Sequence, residues 1–173
     1  MHDPHTANET PPAPGLLARR EIEARIVGPL IEAMAREFGR ERVLAIAREV
    51  IASLARESGA TLAHTAGGCS LEHFAQTLAL WQADDALAID VIESSPERLS
   101  FNVTRCRYAE MYAALGLEEL GGLLSCNRDF ALIEGFNPSV RLTRTQTIMD
   151  GAAHCDFRFV DESQHLAEKG SKP

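Results

Sequence analysis

Apolar residues in the first half of the chain recur at helical spacing. Between about Leu16 and Phe38 they fall at Ile22, Ile26, Leu30, Met34 and Phe38, an interval that lays them on one slowly drifting helical stripe. Pro29 is expected to kink this helix. A second stripe, Val43, Ile46, Ala47, Val50, Ile51 and Leu54, runs until Gly59. A third, Leu71, Phe74, Leu78 and Trp81, follows Ser70, whose hydroxyl suits an N-cap. The period then changes to two. Leu87, Ile89 and Val91, then Leu99, Phe101 and Val103, alternate with small or polar residues and predict two strands joined around Ser94-Ser95-Pro96. Helical spacing returns at Tyr108, Met111, Tyr112 and Leu115 and stops at Gly116, so that a strand feeds a helix at Cys106. A further helical patch covers Leu117 to Leu132, and Asn137-Pro138 turns the chain. Residues 139–148 and 153–160 read as a strand pair around Asp150-Gly151.

This order predicts an α+β fold: an N-terminal helical layer packed on a small antiparallel sheet of about four strands. The Cys106 and Cys126 helices are expected between its two hairpins. Residues 15–161 form the single domain. Residues 1–14, with four prolines and almost no large apolar side chain, read as a disordered tail, and residues 162–173 as a polar C-terminal tail.

Composition narrows the partners. With 17 Lys+Arg against 25 Asp+Glu the formal charge is −8, and no basic cluster interrupts that balance, so neither nucleic acid nor an anionic membrane surface is expected as a partner. Four cysteines without a CxxC pair read as free thiols. The N-terminus lacks a signal-peptide pattern, and no stretch approaches the roughly 18 apolar residues of a membrane span. A cytoplasmic location follows by elimination.

Chemistry concentrates in the second half. Cys106, at the start of a helix and flanked by Arg105 and Arg107, occupies a position that favours a thiolate, although the same place also suits a half-buried structural thiol. Cys126 and Asp129, three apart in a helical patch, share a face and could share a proton; a solvated charge or local cap is the plainer reading of Asp129 alone. Strand alternation places Cys155 with Phe157 and Phe159 on the core face and His154, Asp156 and Arg158 on the other. That parity, with cysteine spacings of 20 and 29 residues, argues against a zinc site, and no metal or cofactor is expected. Arg141 and Arg144 face opposite sides of their strand, so only one can enter a pocket on the core face, where it would suit a substrate carboxylate. Neither His64 nor His73 has a partner at a catalytic spacing.

Taken in order, Cys106-Arg107-Tyr108-Ala109-Glu110, Gly116-Leu117, Cys126 with Asp129, Phe136-Asn137-Pro138, Arg144-Thr145, and Gly151 with Cys155-Asp156-Phe157-Arg158-Phe159 form a series. It resembles the L-2-amino-thiazoline-4-carboxylic acid hydrolase family, most strongly over residues 100–160. The resemblance implies hydrolytic opening of a small ring bearing a carbon–nitrogen double bond, and it places Tyr108, Asn137, Arg144 and Cys155 about the substrate, with Arg144 as the carboxylate clamp. Cys69 lies outside the recurring motifs and is set aside as structural.

The expected mechanism has a thiolate, Cys106 by preference, adding to the amidine-like carbon, with Asp129 moving the proton and water later releasing the product. Direct attack by water activated by Asp129 is the alternative. The partner is then a small, carboxylate-bearing substrate; assembly into a homo-oligomer is allowed for. A rival of another class is a non-enzymatic sensor that uses the same cavity to bind a small molecule or metal. The lack of an output domain in the sequence favours the enzyme.

Overall fold

Segments of period 3.6 and period two separate into layers in the computed structural model, which describes residues 14–163. Apart from Pro14, Glu162 and Ser163, the two predicted tails lie outside the described residues. The helices are α1 (Leu16–Phe38), α2 (Arg40–Thr65), α3 (Leu71–Gln82), α4 (Arg107–Ala114), α5 (Glu118–Gly121) and α6 (Arg128–Phe136). The strands are β1 (Leu87–Ser94), β2 (Arg98–Cys106), β3 (Val140–Thr143) and β4 (Cys155–Asp161). They form one antiparallel sheet in the order β1-β2-β4-β3. The fold is α+β, helices first, as the periodicity predicts.

Register explains the core. Leu99 pairs with Phe159, Phe101 with Phe157 and Val103 with Cys155, so every second residue of the two central strands points to one face. Phe101 and Phe157 stack at 4.9 Å between ring centroids, and Phe74 of α3 meets Phe159 at 5.1 Å and Phe136 of α6 at 5.1 Å. The inner helical layer on this sheet is therefore α3 and α6. The hairpin of α1 and α2 packs behind α6 and against α4 and α5, and it reaches the sheet core mainly through Leu62 and Ala63 at its end.

Two expectations about the first helices change. Ile22, Ile26, Leu30 and Phe38 of the stripe are more than half exposed, and so are Ile46 and Val50 on α2, with Leu54 close to half. The buried face of α1 is instead Ala24, Gly28 and Ile31. Small residues win that face because the chain comes very close there: a Cβ on Gly28 would stand 2.7 Å from Leu117 Cδ1. Similarly, α2 does not end at Gly59 but continues to Thr65, because Gly59 is a contact point. A Cβ there would lie 2.0 Å from the carbonyl oxygen of Leu132, and one on Gly135 would lie 2.1 Å from that of Arg56. α2 and α6 thus meet backbone to backbone, with Arg56 Nε and Glu134 Oε2 pairing at 2.7 Å beside the seam. α1 stays one continuous helix through Pro29.

The remaining elements follow local chemistry. Ser70 caps α3, accepting from the backbone N–H of His73 at 3.3 Å. α1 passes to α2 through Gly39 alone, at φ 88°, a backbone angle that a side chain would strain. Strand β3 stops at Thr143, earlier than predicted, and the chain reaches β4 through a 3₁₀ turn at Ile148–Asp150. Asp156 holds that connection, accepting from the backbone N–H groups of Thr145 and Gln146 and from the Thr145 hydroxyl. Among the described residues no helix is long and apolar enough to cross a membrane.

The seam yields a matched pair of variants. Gly135→Ala should destabilise the protein by about 1–3 kcal/mol, as overpacking against backbone does. Gly122→Ala, where a Cβ meets nothing within 4 Å, should be neutral or slightly stabilising. Equal urea midpoints for the two would show that the seam is not tight.

Candidate functional site

One cavity, of about 130 Å³, opens between the core face of the sheet, the start of α1 and the start of α6. A void of about 150 Å³ accommodates a benzene-sized ring, so this one suits a single small ring. Trp81, Leu87, Val103, Leu132 and Phe157 give it apolar walls. Into it project Cys106, Cys126, Cys155, Asp129, Arg144 and Tyr108. The fold brings together six of the seven residues singled out by sequence. The seventh, Asn137, is elsewhere: its amide donates to the carbonyl of Cys69 at 2.9 Å and its carbonyl accepts from Ser139 N–H at 2.9 Å, so it fastens a turn. Cys69 is exposed and outside the cavity.

Each thiol arrives by a different route. Cys155 sits on the core face of β4 and accepts the N–H of Ile148 at 3.2 Å. Cys106 ends β2 and is the N-cap of α4. Cys126 closes a π-helical turn, Gly122–Cys126, in which Asn127 N–H reaches the carbonyl of Gly122 at 2.9 Å. The predicted continuous helix is therefore broken by an inserted turn, and this turn rather than simple i,i+3 spacing sets how Cys126 and Asp129 face the same space.

Asp129 and Arg144 form the polar centre. Arg144 Nη1 donates to Asp129 Oδ2 at 2.5 Å and its Nη2 to the carbonyl of Cys126 at 3.0 Å. The arginine side chain is 6% exposed and the aspartate 22%. The guanidinium also lies 5.1 Å from the ring centres of both Phe130 and Phe157. Arg144 enters the pocket as parity requires, but its fork is already engaged by Asp129, so its first role is to hold that carboxylate. Arg141 points to solvent and pairs with Glu162.

Burial governs the protonation states. It pushes the Asp129 carboxyl up to about 6, against the charge and hydrogen bond of Arg144. It pushes the Cys106 thiol up to about 11, although the N–H groups of Ala109 and Tyr108 at the helix start pull the other way. Cys126 rises further, through burial and then the neighbouring Asp129 charge, and Cys155 rises through burial. The expected thiolate at Cys106 is thus not the resting form. Arg105 and Arg107 do not rescue it, since one pairs with Glu110 and the other donates to the carbonyl of Asp84.

Sequence reasoning missed Arg20 and Arg128, which also line the cavity. Arg20 sits in a charge-rich stretch of α1 with nothing local to mark it. Arg128 had a signal, its adjacency to Asp129, which places both at the start of one helix. Among the described residues no group of three or more His, Cys, Asp or Glu is arranged to hold a metal ion.

An α+β domain with thiols and a carboxylate around a ring-sized cavity is the class that this geometry defines. Residues 19–159 match the L-2-amino-thiazoline-4-carboxylic acid hydrolase family, and the chain belongs to it. Among curated proteins none matches. Among solved structures, the phenol-responsive sensory domain of the transcription activator PoxR, with phenol, is similar at TM-score 0.53 and 12% identity over 85% of this chain and 80% of that one. A trafficking protein particle complex subunit 3 from Naegleria fowleri, covalently bound to palmitic acid, reaches TM-score 0.49 and 12% identity over 83% of this chain and 95% of that one.

The raised carboxyl has a measurable consequence. Asp129 binds its proton more tightly folded than unfolded, so its contribution to stability should fall by roughly 3 kcal/mol as pH rises from about 4 to about 6, then level off. Asp129→Asn should remove that contribution, read as the difference between the two proteins' urea midpoints across the range. A difference that does not change with pH, or changes with the opposite sign, would show that burial does not raise this carboxyl.

Proposed function

We propose that the protein is a hydrolase opening a small cyclic amidine or isothiourea-type ring, with Asp129 as the proton-moving group and Cys106 as the nucleophile. The observation that carries the reading is the convergence of Cys106, Cys126 and Asp129 on one ring-sized cavity in a chain of this family. A protonated thiol needs a base, and Asp129, ionised above about pH 6, is a base within the same cavity. A ring that enters as a cation also favours the thiolate, because an opposite charge nearby lowers a thiol pKa. Cys106 is preferred over Cys126, since its sulfur has the helix-start N–H groups of Ala109 and Tyr108 to stabilise developing charge.

In this scheme Asp129 takes the Cys106 proton as sulfur bonds to the amidine-like carbon. The proton then passes to the ring heteroatom whose bond to that carbon breaks. Water, deprotonated by Asp129, attacks the sulfur-bound carbon, the carbon–sulfur bond to Cys106 breaks, and the thiol regains its proton. One water is consumed overall. In the alternative route Asp129 activates water directly and the cysteines shape the pocket.

A second reading rests on the apolar walls and on the protonated thiols: a module that binds a ring without turning it over. The PoxR sensory domain, of similar fold, is described with phenol. Loss of ring absorbance on incubation with 2-amino-thiazoline-4-carboxylate and simpler cyclic amidines separates the two, and repeating it with a chelator tests for metal dependence. Binding without turnover would support the sensor.

If the hydrolase reading holds, kcat/KM should rise with pH through about 6 as Asp129 ionises. Asp129→Asn should lower kcat by about 10²–10⁴-fold, the usual contribution of a positioned base. Cys106→Ser should abolish turnover while leaving the unfolding midpoint nearly unchanged. A serine variant at wild-type rate would overturn the Cys106 route and leave the water route standing.

A further inference from the structure

Arg144 was the expected clamp for a substrate carboxylate, yet it is committed to Asp129 and to the carbonyl of Cys126. The other cations on the cavity wall are Arg20 and Arg128. Arg128 is the first residue of α6; its side chain lines this cavity and a second one, of about 430 Å³, between α1 and α2, and among the described residues it makes no hydrogen bond or ion pair. Arg20 comes from α1 and pairs with Glu23 on its own helix. Arg20, Arg128 and Arg144 therefore stand against two carboxylates, Asp129 and Glu23, which leaves one cation over. Burial lowers the Arg128 pKa and the Arg20 charge acts in the same direction, opposed by the charges of Glu23 and Asp129. With three guanidinium groups against two carboxylates, the wall favours one further anion.

Arg128 and Asp129 are consecutive helical residues, so their side chains leave α6 about 100° apart and still reach one cavity. The cavity wall thus carries both a carboxylate and an unpaired guanidinium. We propose that Arg128, supported by Arg20, is the clamp for a carboxylate on the ring, and that the amidine end of the same ring faces Asp129. A ring with a carboxylate at one end and an amidine at the other is what the family's name describes; the new element is the residue that holds the carboxylate. This rests on the proposed function for the reacting end of the ring, whereas the clamp itself is a matter of binding alone.

Trp81, the chain's one tryptophan, lines the cavity and reports binding by fluorescence without any turnover. The probes are 2-aminothiazole-4-carboxylate, whose aromatic ring resists opening, and 2-aminothiazole, which lacks the carboxylate. The wild type should bind the carboxylate probe about tenfold or more tighter than the neutral one, as a charge-assisted guanidinium–carboxylate pair allows. Arg128→Gln should erase that preference and leave the neutral probe within about twofold of wild type, which at the same time certifies an intact cavity. Arg128→Lys should keep part of the preference, because the charge remains and the fork does not. Arg20→Gln should weaken the carboxylate probe by less than Arg128→Gln does.

Equal affinity of the wild type for the two probes would overturn the clamp. So would parallel loss of both probes in Arg128→Gln, or an unchanged preference in both Arg128→Lys and Arg20→Gln should the glutamine variant not fold. A protein that discriminates the probes through Arg128 but opens no ring upholds the clamp and sinks the hydrolase. One that opens rings yet binds both probes equally sinks the clamp alone.

Discussion

Taking a carboxylate and a guanidinium out of water together is costly, and only good geometry offsets it. The Asp129–Arg144 pair obtains that geometry from three sources: the start of α6, the last carbonyl of the π-helical turn, and the chain leaving β3. Two aromatic faces, Phe130 and Phe157, close over the guanidinium. Much of the surrounding backbone follows from this arrangement. β3 stops at Thr143, and in the loop that follows Asp156 accepts from the backbone N–H groups of Thr145 and Gln146. Removing either partner would strand a largely buried charge, which typically costs about 3–5 kcal/mol.

The pair also sets the electrostatic tone of the cavity. Burial keeps the neighbouring thiols neutral, and at Cys126 the Asp129 charge adds to it. A neutral apolar ring would meet an uncharged apolar wall, whereas a cationic one would compensate the carboxylate; in the proposed route that same charge lowers the cost of forming the thiolate, which ties selectivity to activation.

Most of the fold was legible in the sequence because the sheet is two-sided in the simplest way: Leu99, Phe101, Val103, Cys155, Phe157 and Phe159 alternate cleanly. The helix at Cys106 and the cap at Ser70 carried equally local signals. The first two helices were harder to read. Much of the stripe that their large apolar residues advertise is exposed, while the packed face joins Ile31, Val43 and Ile51 to Ala24, Gly28 and Gly59, small residues that no hydrophobic pattern counts. In the site, Cys106, Cys126, Asp129, Arg144, Tyr108 and Cys155 were legible and do converge. Their protonation was not, because burial is a property of the assembled fold. The inserted π turn was invisible because it changes no residue type, only the hydrogen-bond partner of Asn127. Arg20 escaped because the cavity collects it from a helix more than eighty positions upstream of Cys106.

The glycine seam between α2 and α6 acts at a distance. Leu132 and Gly135 lie one to two turns beyond Asp129 on the same short helix, pressed against the backbone of α2. With no side chain to yield at the contact, the seam works as a backstop that fixes how far α6 can sit back from the sheet. The gap between the carboxylate on that helix and the thiols on the strands is therefore gauged from behind. A change of one methyl at the back of the helix would resize the chamber at its front, so the dimensions of the cavity are written partly in Gly59 and Gly135, which do not line it.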